Sequence, residues 1–184
     1  SNANYRYDLV DITRQAVAEK GRLTYKDMVA ALENGDKTAF EKLASYFLSL
    51  IDMQDRLLAT MPDFTVGRWI NDARRLAPSE LEKDLFEQNA RLLVTTWGRR
   101  GASEKGKLRD YAHREWNGLL RDFYRPRWEA WIAQQRDILD GKEVADIDFY
   151  AMDEKWVDAR DAYSETPQGD PVEVSLEAIQ LIKQ

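Results

Sequence analysis

The chain has 184 residues, a formal net charge of −6 at pH 7, 33% charged and 43% hydrophobic residues, 9 glycines, 5 prolines and no cysteine. That length suits one domain with a sizeable core, and the composition excludes intrinsic disorder. The absence of cysteine excludes disulfides, thiol catalysis and the common zinc sites, the acidic balance argues against a nucleic-acid binder, and no apolar run approaches the ~20 residues needed to span a membrane.

Ser1-Asn2-Ala3 reads as the remnant of a cleaved tag, which leaves 4–184 as the domain. Residues 5–33 carry Leu9, Ile12, Ala16, Val17, Tyr25, Met28, Val29 and Leu32 at helical spacing, with Gly21 as a weak point, and predict one long or broken helix. Asn34-Gly35-Asp36 is a turn, with Asp36 as N-cap of a second helix. That helix has a clean apolar stripe (Phe40, Leu43, Ala44, Phe47, Leu50, Ile51, Leu57, Leu58, Met61) and ends at Pro62. A short helix over 66–76 follows, closed by Pro78.

Ser79-Glu80-Leu81-Glu82 has the form of a capping box, opening a helix that runs to Gly98. Segment 98–107, with three glycines and five charges, is expected to be an exposed, mobile loop. A helix over about 108–124 should bury Tyr111, Trp116, Leu119, Leu120 and Phe123. Pro126 suits the first turn of the next helix. Another helix is expected over 148–163, and a last one is capped by Asp170 with Pro171 at its first position. No segment alternates with period 2. The predicted fold is all-α, a single bundle-like domain of about seven or eight helices.

Little in this pattern nominates chemistry. His113 is the sole histidine and lacks a triad partner. The phosphate-binding and dinucleotide glycine motifs and the His-Glu-x-x-His zinc pattern are absent, so no catalytic residue, metal or cofactor is assigned. Charge is unevenly spread. Residues 91–127 hold ten Lys/Arg against four acids, a net +6 that leaves −12 for the rest. Most such runs are solvated faces; an anionic ligand or an acidic partner is the other reading. Trp97, before a glycine at a predicted helix end, either packs in the core or walls a pocket.

Particular residues go further than pattern. "YRYDLVDITRQAVAE" (5–19), "WINDARRL" (69–76), "FEQNARLLVTTWG" (86–98), "LRDYAHREWNGLLRDFYRPRW" (108–128) and "GDPVEV" (169–174) occur in this order. Together they closely resemble the C-terminal helical domain of glycoside hydrolase family 89, the α-N-acetylglucosaminidases. The resemblance covers nearly all of 5–184. It implies an exo-acting, retaining hydrolase of terminal α-linked N-acetylglucosamine glycans, secreted, periplasmic or lysosomal, whose catalytic barrel packs against this domain. Both carboxylates of such a mechanism belong to the barrel, so the fragment alone is expected to be inactive. The resemblance also places Trp97 and Tyr111 near the sugar. Asp110 would bond a sugar hydroxyl or, more simply, cap a helix beginning there. Asn89 and Arg91 match the motif too, but their helix-face positions suit a structural hydrogen-bond network. The competing reading is a free-standing helical module that docks an acidic partner through 91–127.

Overall fold

The computed structural model describes residues 2–184, and Ser1 lies outside them. Among these residues there are eight α-helices and no strands: α1 (Ala3–Glu33), α2 (Lys37–Leu58), α3 (Val66–Arg75), α4 (Lys83–Leu93), α5 (Arg100–Gly106), α6 (Arg125–Leu139), α7 (Phe149–Asp158) and α8 (Pro171–Ile182). Among the described residues no helix is long and apolar enough to cross a membrane. The all-α, bundle-like expectation is met.

The frame is an antiparallel hairpin of the two longest helices. α1 runs unbroken through Gly21, and its inward stripe is Val10, Thr13, Val17, Thr24, Met28 and Ala31; Ile12 instead faces outward. The side chain of Asn2 accepts from the N–H of Asn4, so residues read as a tag remnant cap and begin the helix. Asp36 caps α2 by accepting from the Ala39 N–H at 2.9 Å. α8 lies against both long helices, its N-terminus capped by Asp170, which accepts from Val172 and Glu173. α6 packs against α2 and also meets α1, joining Trp128, Trp131 and Ile132 to Met28, Phe40, Ala44 and Phe47.

A second layer is built on α3, α4 and α7. Val66, Ile70, Val94, Leu119, Phe123, Trp156 and Val157 form its core. The extended segment after α7 crosses α3 so closely that a Cβ on Gly67 would sit 2.2 Å from the Ser164 carbonyl oxygen. Only glycine fits there.

Several helix boundaries differ from expectation. Ser79 makes no backbone capping bond; its hydroxyl meets the Glu82 carboxylate instead, over a 3₁₀ turn (Glu80–Glu82) that precedes α4. α4 stops at Leu93, and α7 stops at Asp158, leaving Tyr163 in extended chain. Segment 98–107 is not a loop but contains α5, whose central residues are adequate helix formers and which ends on Lys107 in the left-handed conformation.

The expected helix over 108–118 does not form. Its backbone groups are claimed elsewhere: Asp110 N–H by the Thr95 carbonyl, Asn117 N–H by the Phe64 carbonyl, and Asn117 carbonyl by Val66 N–H. Tertiary partners override a helical pattern in this segment. Helix begins after Gly118 as a π-helical stretch (Leu120–Tyr124) that runs into α6. Pro126 lies in the first turn of α6, where the π-helical stretch passes into it.

Candidate functional site

The end of α4 is unusual. The Trp97 N–H reaches back to the Leu92 carbonyl at 2.8 Å, turning the chain so that Trp97 itself has φ 59°. Left-handed conformation in a bulky residue costs on the order of 1–2 kcal/mol. Among the described residues the only non-glycine residues with positive φ are Trp97, Lys107 and Asp110. All three bracket one short stretch, whereas at Gly118 and Gly141 the chain spends a glycine on such a turn. Strain of this kind persists only where surrounding contacts over-determine it.

The result is an exposed aromatic corner. Trp97 is 40% exposed and Tyr111 70% exposed, so neither belongs to the core, and the expected burial of Tyr111 is corrected. Their rings meet edge to face, with centroids 5.5 Å apart and planes at 82°. The corner offers one apolar ring face beside a phenolic hydroxyl.

Asp110 anchors this corner and caps no helix. Its carboxylate takes a two-pronged bond from Arg127, 2.9 and 2.8 Å, a geometry that fixes both planar groups. Arg127 in turn stacks its guanidinium on Phe123 and Tyr124. Its Nε is 3.7 Å from Asp153, which is fully buried and accepts from Arg109 at 2.6 Å. Arg109 and Asp110, neighbours in sequence, are therefore tied to opposite charges from α7 and α6. Burial pushes the Asp153 carboxyl above its ordinary value, against the hydrogen bond from Arg109. Burial also raises the Tyr124 phenol. With both its oxygens turned to Arg127, Asp110 is a brace for the turn, and Tyr111 is the group of this pair that faces outward.

Beneath the corner, Thr96 and Ser103 are fully buried, and the Tyr150 hydroxyl bonds Ser103 at 2.6 Å while Ser103 donates to the Thr96 carbonyl. This chain holds α5 under the Trp97 turn. Arg91 is fully buried and bonds Glu87 (2.9 Å) and the carbonyls of Trp156 (3.1 Å) and Asp161 (3.0 Å), the structural network expected of it. Asn89 does not join: it is exposed. His113 is exposed in irregular chain just after a turn, not inside a helix.

Seven of the ten cations in 91–127 are spent in ion pairs: Arg91, Arg99, Arg100, Arg109, Arg121, Arg125 and Arg127. Little free positive charge remains. Among the described residues no group of three or more His, Cys, Asp or Glu side chains could hold a metal ion. An apolar hollow of about 470 Å³ opens between α1, α2 and α6, lined by residues such as Val17, Phe47 and Trp128. None of its lining residues belongs to the aromatic corner.

Residues 1–180 match the family described as the alpha-N-acetylglucosaminidase (NAGLU) C-terminal domain. The human alpha-N-acetylglucosaminidase is 31% identical over 185 residues, covering 93% of this chain and 23% of that protein. A family 89 glycoside hydrolase from Clostridium perfringens, solved in complex with 2-acetamido-1,2-dideoxynojirmycin, superposes with a TM-score of 0.93 at 37% identity, covering 98% of this chain and 21% of that one. A substituted form of the C. perfringens protein, solved with its substrate GlcNAc-alpha-1,4-galactose, gives 0.90 at 39% identity over 96% of this chain and 21% of its own. The chain thus spans about a fifth to a quarter of the length of these relatives, which carry the domain inside a longer polypeptide. With residues 1–180 matched by the family and the fold superposing on a family 89 structure at a TM-score of 0.93, the chain belongs to the C-terminal domain family of the family 89 α-N-acetylglucosaminidases.

Proposed function

We propose that this chain is the accessory helical domain of an exo-acting, retaining α-N-acetylglucosaminidase, packed against the catalytic barrel and supplying part of the wall of the terminal N-acetylglucosamine pocket. The observation that carries the reading is Trp97: an exposed indole held at φ 59°, in contact with Tyr111 and braced through Asp110 and Arg127. A core tryptophan has no need of such a turn; a ring that must face a ligand does. One face of a pyranose presents axial C–H groups, and an indole covers it while hydroxyls remain free for polar partners. The two carboxyl groups of a retaining mechanism stand roughly 5 Å apart and would come from the barrel. Trp97 and Tyr111 would hold the ring in register with them and exclude water from its covered face. Asp110, with Arg127 on both oxygens, would contribute by fixing Tyr111. No cofactor is required. The rival reading, docking of an acidic partner through 91–127, loses its basis because most of that charge is already paired within the domain.

Two measurements test the proposal. The purified 184-residue chain should not turn over a chromogenic α-N-acetylglucosaminide above a buffer blank; clear turnover would overturn the assignment. In the longer polypeptide, Trp97→Ala should lower kcat/KM by roughly 30-fold or more, equivalent to about 2 kcal/mol, with a nearly unchanged melting temperature. A destabilised but fully active variant would mean that the indole serves folding alone.

A further inference from the structure

The hollow between α1, α2 and α6 takes no part in the aromatic corner, yet three features of its wall are hard to explain by folding alone. Gly21 stands in that wall, inside the 31-residue α1, although glycine is among the worst helix formers. Its φ is not positive, so no turn demands it. A Cβ there would find Phe47 at 3.9 Å, an ordinary contact; what glycine keeps clear is the space beyond. Gln54 stands in the same wall and is 5% exposed. Its amide nitrogen donates to the Arg14 carbonyl at 3.0 Å and to Glu115 at 3.1 Å, whereas its Oε1 is buried with no hydrogen-bond partner. A buried carbonyl oxygen without a donor is costly and calls for a reason. Leu120, the first residue of the π-helical stretch, is also part of the wall, and π-helical turns gather at functional sites.

We propose that this hollow binds an uncharged, mainly aromatic small molecule carrying one N–H or O–H donor, which is directed to Gln54 Oε1. The lining defines each part of that description. A volume of about 470 Å³ falls within the ~300–1,000 Å³ of small-molecule sites, which favour clefts between the helices of a bundle. Phe47 of α2 meets Trp128 of α6 edge to face with ring centroids 4.7 Å apart, and Tyr25 of α1 meets the same indole at 5.5 Å. Three helices thus present aromatic rings to a guest, and rings prefer offset or edge-on partners. The charged residues of the wall are already paired, Arg22 with Glu19 and Glu115 with Arg14, so a charged ligand would enter without a counter-charge. A sugar fits poorly, because its many hydroxyls would meet aliphatic and aromatic carbon. One acceptor oxygen remains for one donor. The site is separate from the aromatic corner, and the inference stands independently of the function proposed above.

The probe is N-phenyl-1-naphthylamine, which is uncharged, wholly aromatic, carries one N–H and fluoresces when it leaves water. It should bind the 184-residue chain saturably and one to one. Its N-methyl derivative has no donor and should bind roughly fivefold more weakly, the net worth of one hydrogen bond. The sulfonated counterpart, 8-anilinonaphthalene-1-sulfonate, should bind more weakly by about tenfold or more, since its charge would be buried unpaired. Gly21→Leu fills the hollow from α1 while improving the helix propensity, so affinity should fall by about tenfold or more with the melting temperature held or raised. Ala18→Leu, at an exposed position of the same wall, repeats the block without touching the core and decides the matter where Gly21→Leu fails to fold. Trp97→Ala should leave binding unchanged. Absence of saturable binding, binding that survives the blocking substitutions in folded protein, or binding lost with Trp97→Ala would overturn the site. Equal affinity for the parent and N-methyl probes would overturn the role of Gln54, and tighter binding of the sulfonate would overturn the uncharged class. A longer polypeptide that takes up no probe would mean that protein covers the hollow, and the small-molecule reading would fall.

Discussion

Arg91 and Trp97, six residues apart, divide one motif into an inward and an outward half. Arg91 is fully buried, its guanidinium lying 4.6 Å from the Trp156 ring centroid and bonded to Glu87 and two carbonyls. No lysine could satisfy those partners together, because an ammonium lacks the planar fork. Removing the charge leaves the Asp161 carbonyl without its donor and the Trp156 carbonyl with the Ala159 N–H alone, while Glu87 retains Arg74 at 2.6 Å. Arg91→Met should therefore cost about 3–5 kcal/mol, the usual penalty for breaking a buried ionic network from one side. Urea denaturation of the 184-residue chain measures this directly; a loss under about 1 kcal/mol would mean the network is redundant. Both residues were legible in the sequence as motif members. The structural role of Arg91 was expected from its helix-face position, whereas Trp97 stood open between core and pocket wall, because a helix pattern that ends at Gly98 leaves the turn at Trp97 undescribed.

At the level of elements, the start of the α6 region depends on a carboxylate from another helix. Asp55 of α2 accepts from the N–H groups of Gly118 (2.7 Å) and Arg121 (3.2 Å) and from the Asn117 side chain (2.7 Å). It does for the helix beginning after Gly118 what an N-cap residue does locally. Asp55→Ala would remove the cap and strand those donors, for an expected loss of about 2–4 kcal/mol, read as a fall in melting temperature of roughly 6–12 °C at this size. Asp55→Asn keeps one acceptor and should lose less; equal losses would rule out the capping role. The same contact explains where sequence reading succeeded and failed. α1 was legible from its apolar stripe, though not its Asn2 cap, and α2 and α8 from the caps that their own Asp36 and Asp170 supply. Segment 98–118 was not, because its conformation is set by Thr95, Phe64, Asp55 and Asp153, residues remote in sequence whose proximity no local pattern records. Asp110 and Tyr111 lie in that segment and Trp97 at its edge, so the site's identity came from resemblance and its geometry only from the structure.

Over the whole molecule, titration separates the carboxylates into two groups with opposite effects on stability. Burial raises Asp55 and Asp153 above their ordinary 3.8. Between that value and the folded one, the native state holds protons that the unfolded chain has released. Their contribution to stability therefore grows as pH falls from neutral towards about 4. Asp148 and Asp158 are held below 3.8, chiefly by hydrogen bonds from Arg100 and Arg99, and Asp170 by the backbone N–H groups of Glu173 and Val172. The stability these supply is complete above 3.8 and is lost as pH falls through their folded values. The melting temperature of the 184-residue chain should therefore hold or rise between pH 7 and about 4, then drop steeply below 3.8. Circular dichroism melts in low salt at closely spaced pH values would trace this, at low protein concentration because the chain approaches neutrality near its pI of about 5.0. Asp153→Asn removes one of the two groups responsible for the rise and should flatten it without altering the acid limb. A melting temperature that falls steadily from pH 7 to 5 would contradict the assignment, since the depressed carboxylates are fully ionised throughout that range and cannot account for a loss.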